Sequence, residues 1–364
     1  MEIGLFAGFQ NWHENLSDEE MFLKELELLE RGEELGFDSL CIPEHHFDDY
    51  SMCPDNVAVL CYLAARTKRV KLATGAVIVP WNDPLRVVEK LTLLDHMSGG
   101  RMVLGLGRGL ARMEYEQFGI PMEEARERFD EAAPMIVRGL ETGIVEGNGK
   151  YYKQPRAVIR PRPTRPIRDR LFCVAISPES VDAAVALGAA MTTFVQKDIT
   201  LHAPEIERYR KLFRERHGRA APPPILTDMV YCGSSMAEAE EIADRYIAKY
   251  FFSLVKHYDF AGTHFRDIKG YQAYEVTAAM VREAGLEVAA RAYRDSQSWG
   301  TPDVILAKYA RWKEVIGEFS LNVIFSAAGM PYDVAERSQR KFAAEVMPAL
   351  RELVDGPCLE AANA

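Results

Sequence analysis

Glu44, His45 and His46 close an apolar stretch in "CIPEHHFDDY", residues 41 to 50. An acid followed by two histidines can bind a metal, move protons or anchor a loop through hydrogen bonds. Residue type alone does not choose among these. The remaining histidines (13, 96, 202, 217, 257 and 264) show no metal-ligand spacing, so no metal site is expected. Further along, Gly105, Gly107 and Gly109 surround Arg108. Glycine lets a ligand approach the backbone, and a guanidinium suits a phosphate. In "CVAISPES" (173 to 180), Ser177 is placed as a helix N-cap and Pro178 as the first helical residue. Free amides and the helix dipole there favour an anion, with Ser180 one turn further on. Alone, that stretch reads equally well as an ordinary cap. Beside Arg108 it reads as a phosphate site.

These residues need elements to hold them. Strand-like segments are expected at 3–7, 39–43, 70–79, 101–106, 171–174, 191–194, 225–232 and 321–325, each followed by a helical pattern. The clearest helices span 19–35, 56–67, 84–97 and 125–141. Strand and helix alternating in this way predict a (β/α)8 TIM barrel, with a doubly wound open sheet as the alternative. The three groups then fall at C-terminal strand ends, where such barrels build active sites. The glycines around Arg108 follow the fourth strand, which is not the context of a dinucleotide fingerprint. Two excursions, at about 142–170 before strand five and 258–300 before strand eight, lengthen one domain spanning 1–364.

The totals restrict the function classes. A net charge of −10 without a basic stripe argues against nucleic acid and for a small-molecule enzyme. No apolar run reaches the ~18 residues of a membrane span. Six cysteines form no C-x-x-C pair, and the N-terminus has no basic leader, so a reduced cytoplasmic setting is expected. Phe6, Phe9, Trp81, Phe194 and Phe325 near strand ends predict a mostly apolar pocket.

Taken together, "GFDSLCIPEHHF" (36–47), "ATGAVIVP" (73–80), "LLDHMSGGRMVLGLGRGL" (93–110) and "FGIPMEEARERF" (118–129) resemble the bacterial luciferase-like, flavin-dependent monooxygenase family; "GTP" (300–302) and "VMPAL" (346–350) follow in the family's order. The resemblance implies that His45 serves oxygen chemistry, and that Arg108, Arg126, Ser177 and Ser180 hold a flavin phosphate. It also implies a cis peptide between Gly75 and Ala76 behind the flavin ring. Two departures stand out: Gly107 replaces a reactive cysteine, and Ile176 replaces an acid, where only a backbone contact to flavin survives. Both weaken the case for light emission.

The expected enzyme uses reduced FMN and molecular oxygen to oxygenate a small, hydrophobic organic substrate, with a separate flavin reductase. His45 and Glu44 are the expected catalytic residues, Glu44 or a backbone carbonyl fixing the His45 tautomer. Competing readings are an F420-dependent hydride-transfer enzyme, a metal-dependent barrel hydrolase built on Glu44-His45-His46, and a flavin binder without turnover. A homodimer is expected through helices two and three, where "NVAVLCYLAART" is apolar almost all round and Leu85, Val88, Leu91 and Leu94 follow.

Overall fold

Strands of four to eight residues, each with two buried faces, form the framework of this computed structural model, which describes residues 1–266, 268 and 271–355. In chain order the strands are β1 (Ile3–Phe6), β2 (Ser39–Ile42), β3 (Lys71–Thr74), β4 (Val77–Ile78), β5 (Met102–Gly107) and β6 (Ile144–Asn148). There follow β7 (Lys153–Val158), β8 (Leu171–Val174), β9 (Ala190–Phe194), β10 (Ile225–Cys232), β11 (Ser298–Gly300) and β12 (Ser320–Ile324). The path β1-β2-β3-β5-β8-β9-β10-β12 is parallel throughout, and β12 pairs back with β1. The result is a closed eight-stranded (β/α)8 barrel.

Period-two alternation divides each strand between two cores. Leu5, Leu40, Leu72 and Leu104 are buried toward the helices, while Cys41, Ala73 and Phe172 form a separate cluster with Phe6 and Ile225. Gly105 belongs to that inner packing rather than to a ligand. A Cβ there would meet the Phe172 ring at 2.4 Å and the Thr74 carbonyl at 2.1 Å.

The helices are α1 (Asp18–Glu34), α2 (Asn56–Arg66), α3 (Pro84–Met97), α4 (Arg112–Gln117), α5 (Ala125–Thr142), α6 (Pro178–Leu187) and α7 (Ala203–His217). After these come α8 (Met236–Ile242), α9 (Ala248–Tyr258), α10 (Gln272–Ala284), α11 (Leu286–Ser296), α12 (Pro302–Ile316), α13 (Tyr332–Lys341) and α14 (Met347–Asp355). Their starts follow local chemistry. Ser17 and Glu20 make a reciprocal capping box on α1, and Asp83 caps α3 ahead of Pro84.

Two expectations change. The third strand does not run from 70 to 79: it breaks at a cis peptide between Gly75 and Ala76, and β4 beyond it pairs only with β5. The second excursion begins before residue 258, because α9 packs against α11 and belongs with it. The first is the antiparallel β6–β7 hairpin. Among the described residues, no helix is long and apolar enough to cross a membrane.

Candidate active site

At the end of β2 the chain sends His45 and His46 to opposite sides. His45 Nδ1 lies 3.1 Å from Oε1 of Glu114, and the same oxygen accepts the His46 backbone N–H at 2.8 Å. The His46 ring turns away into an aromatic group with Phe118 and Trp81. Glu44 was expected to orient His45 and does not. Its Oε2 accepts the Ile78 N–H at 3.1 Å, and its Oε1 accepts Trp81 Nε1–H at 2.7 Å and Asn82 Nδ2–H at 2.8 Å. The physical reason is alternation: Glu44 and His46 share one side and meet at 3.3 Å, while His45 takes the other. The Glu44 carboxylate fastens the turn into α3.

Glu114, on α4 after β5, takes the place assigned to Glu44. It is 1% exposed. Burial pushes its carboxyl up, but the His45 ring, then His257 and the His46 amide, outweigh this and hold it below its usual value. α9 adds two more groups. His257 Nε2 is 3.2 Å from His45 Nδ1, and the Tyr258 hydroxyl is 3.4 Å from His45 Nε2. Tyr50 stacks on His257 with ring centroids 4.4 Å apart. Neither Glu114 nor His257 was singled out from the sequence. Donor atoms of His45, Glu114 and His257 lie within 4.8 Å of one another, a cation-ligand set by type that linear spacing conceals.

The opposite end of the same cavity is cationic. Arg108 follows β5, is 9% exposed and stacks on Tyr271 at 3.8 Å. Arg126 opens α5. Burial, and next the Arg108 charge, push its pKa down. Its Nη1 is 3.6 Å from Asp130, but Nε and Nη2 are buried without a hydrogen-bond partner. Two guanidinium groups crowded together, with donors unused on Arg126, form a site for an anion. At the start of α6, Ser180 Oγ accepts the N–H groups of Ile176 at 3.0 Å and Ser177 at 2.8 Å, and Ser177 Oγ accepts the Ser180 N–H at 3.3 Å. Ile176 and Ser180 line the cavity, while Ser177 lies behind them as the cap.

Gly75, Ala76 and Gly107 also line the cavity. A Cβ on Gly107 would come within 3.2 Å of the Ala76 methyl, so the missing side chain keeps the surface level. The cavity encloses about 1430 Å³, its open mouth included. Phe6 and Phe194 line it as expected, joined by Tyr250, Leu254 and Tyr293. Phe9 and Phe325 instead fill the core, and Trp81 is engaged by Glu44. Residue type near a strand end does not reveal which side a ring takes.

Relatives fit this arrangement. Over 332 residues the chain is 24% identical to the alkanal monooxygenase alpha chain of Photorhabdus laumondii, covering 88% of this chain and 90% of that one. It is 27% identical over 190 residues to the oxygenase component of a flavin-dependent trigonelline monooxygenase from Acinetobacter baylyi, about half of each protein (52% of both). Among solved structures, the monooxygenase RslO1 from Streptomyces bottropensis superposes with a TM-score of 0.78 at 25% identity, covering 96% of this chain and 99% of that one. A family model described as luciferase-like monooxygenase matches residues 1–318. The chain belongs to the luciferase-like monooxygenase family.

Proposed function

We propose that the protein is the oxygenase of a two-component system, binding reduced FMN and using molecular oxygen to oxygenate a small organic substrate. The observation that carries this reading is the pair of buried guanidiniums, one with unused donors, lining the cavity. An anionic phosphate fits there: Arg108 and Arg126 supply charge, Arg126 supplies unused donors, and the N-terminal end of α6 adds its dipole. Gly75, Ala76 and Gly107 leave room for a planar ring system against the backbone. Reduced FMN, when bound, supplies the electrons with which oxygen is activated. The chain's own part is then to hold and move protons at His45, to stabilise its charged ring through Glu114, and to exclude water with aromatic walls. Tyr258 and the apolar side chains Phe6, Phe194 and Leu254 support a hydrophobic substrate. A separate reductase is supported by the trigonelline relative, which is itself an oxygenase component.

The test is an anaerobic titration with reduced FMN, followed by labelled oxygen in the presence of a metabolite pool. One FMN per chain and one labelled oxygen atom in a product support the reading. Binding of F420 in preference to FMN would replace it with hydride transfer.

A further inference from the structure

His45 has a neighbour that the oxygenase reading does not use. His257 Nε2 stands 3.2 Å from His45 Nδ1, and on its far side His257 Nδ1 stands 3.6 Å from Oδ2 of Asp48. Oδ1 of Asp48 is taken by the Tyr50 N–H at 3.0 Å, which leaves Oδ2 toward the ring. The Tyr50 ring lies nearly parallel to His257, at 11°, and fixes its plane.

Electrostatics select the tautomers. An ionised Glu114 oxygen 3.1 Å from His45 Nδ1 repels a bare nitrogen there, so Nδ1 carries the hydrogen. His45 Nε2 is then the free base, facing the Tyr258 hydroxyl at 3.4 Å and the cavity. His257 Nε2 then lies against the His45 Nδ1–H, and His257 Nδ1, buried with no hydrogen-bond partner, has the Asp48 carboxylate 3.6 Å away. Burial, ahead of the opposing pull of Asp48, pushes His257 below its usual pKa, so it rests neutral.

Two carboxylates meet this histidine pair, and only one leads to water. Glu114 is buried, its side chain 1% exposed, so a proton placed on it has no outlet. Asp48 is 12% exposed and adjoins Asp49, at 45%, and Lys256, at 59%. His257, more than Asp48's own burial, holds that carboxyl well below the usual range, while burial and Asp48 push Asp49 up. A proton reaching Asp48 therefore passes on to Asp49 or to solvent.

We propose that His45, His257 and Asp48 form a proton line between the reacting centre and bulk water, with Glu114 as the fixed counter-charge. This rests on the flavin oxygenase reading of the same site. The step balances without any change of oxidation state. A proton taken up at His45 Nε2 makes a new N–H bond there, and the Nδ1–H bond breaks toward His257 Nε2. The His257 Nδ1 proton then moves to Oδ2 of Asp48. Run in reverse, the line delivers a proton from solvent to the cavity. His257 is a positioning and relay residue, since His45 alone meets the reacting atoms.

The experiment has two arms. In the first, ¹⁵N-labelled histidine spectra of the flavin-free protein report where each ring carries its hydrogen. The line requires Nδ1–H on both His45 and His257, with Asp48→Asn moving the His257 hydrogen to Nε2. Nε2–H on His257 in the unaltered protein would overturn the proposal.

In the second arm, reduced FMN bound to each variant is mixed with oxygen, and flavin reoxidation is followed against pH. The groups facing His257 are Asp48, Tyr50 and His45 from the loop after β2, Glu114 from α4, and Lys256 and Tyr258 beside it on α9. His257→Ala should bind FMN as before, slow the pH-dependent phase by about tenfold or more, and regain rate with added imidazole. Asp48→Asn should show a smaller loss that recovers with small carboxylic acids. An unchanged pH profile in His257→Ala, or a loss that imidazole does not restore, would leave His257 a packing residue. Failure of the unaltered protein to bind FMN would overturn the oxygenase reading, while the histidine spectra still decide the tautomers.

Discussion

Oε1 of Glu114 lies 3.1 Å from Nδ1 of His45, joining two residues 69 positions apart at the lip of the barrel. In the proposed proton line this contact holds the His45 ring against a buried carboxylate. Glu114→Gln keeps the shape and one acceptor but removes the charge. Proton-dependent turnover should fall by roughly 10²-fold, with FMN affinity held within a factor of about two. Stopped-flow reoxidation alongside an anaerobic FMN titration measures both.

Arg108→Ala should weaken reduced FMN binding by about 1–3 kcal/mol and leave riboflavin, which lacks the phosphate, almost unaffected. Ser177→Ala should act differently. Ser177 caps α6 from behind the cavity, so its loss should cost about 1 kcal/mol of stability and weaken FMN only by loosening Ser180. Thermal melts and titrations with both flavins separate the two effects. Equal losses for FMN and riboflavin in Arg108→Ala would remove the phosphate assignment.

Asp228 on β10 gives a pH-dependent prediction away from the cavity. It is fully buried, accepts the Ser298 N–H at 3.2 Å and the Tyr309 hydroxyl at 2.8 Å, and burial pushes its pKa up to about 6. Its pKa is thus raised in the folded chain, so folding favours the protonated form. The group is harmless below its unfolded pKa, near 4, and its cost is full above about 6. Asp228→Asn should therefore gain stability relative to the parent as pH rises from 4 to 7, on the order of 2–3 kcal/mol. Melting temperatures of the pair across that interval give the difference directly.

Self-association is proposed through α2 and α3, although the residues that first pointed there face inward. Val88, Leu91 and Leu94 are fully buried in the core. The outward apolar groups are Tyr62 at 45%, Leu93 at 47% and Met97 at 58% exposed. Such a patch on two neighbouring helices is suited to a second copy of the chain. Sedimentation should show a dimer at micromolar concentration, and Leu93→Glu with Met97→Glu should yield monomers that keep the fold.

The barrel was legible because its signals are local. Pro84 after Asp83, Ser177 before Pro178, and the two-residue alternation of Leu40 with Cys41 each act within a few residues. The cationic end was legible for the same reason, since Arg108 and the α6 cap sit at element boundaries. The proton-handling end was not. His257 reaches His45 across 212 positions and Glu114 reaches it across 69, and neither contact leaves a period or a motif. Glu44 was misassigned because adjacency in sequence suggested adjacency in space, whereas strand alternation sends neighbours to opposite sides.

α9 carries both His257 and Tyr258 to a histidine in the loop after β2. On the reading proposed above, the acid–base equipment is split between the ring of strands and an excursion from it, while Arg126 and the α6 cap stay on the ring. Chimaeras that graft a relative's residues 236–296 onto this barrel would then exchange proton chemistry while keeping the cofactor. On that reading, a different helix laid across the lip would change proton handling while Arg126 and the α6 cap stayed as they are.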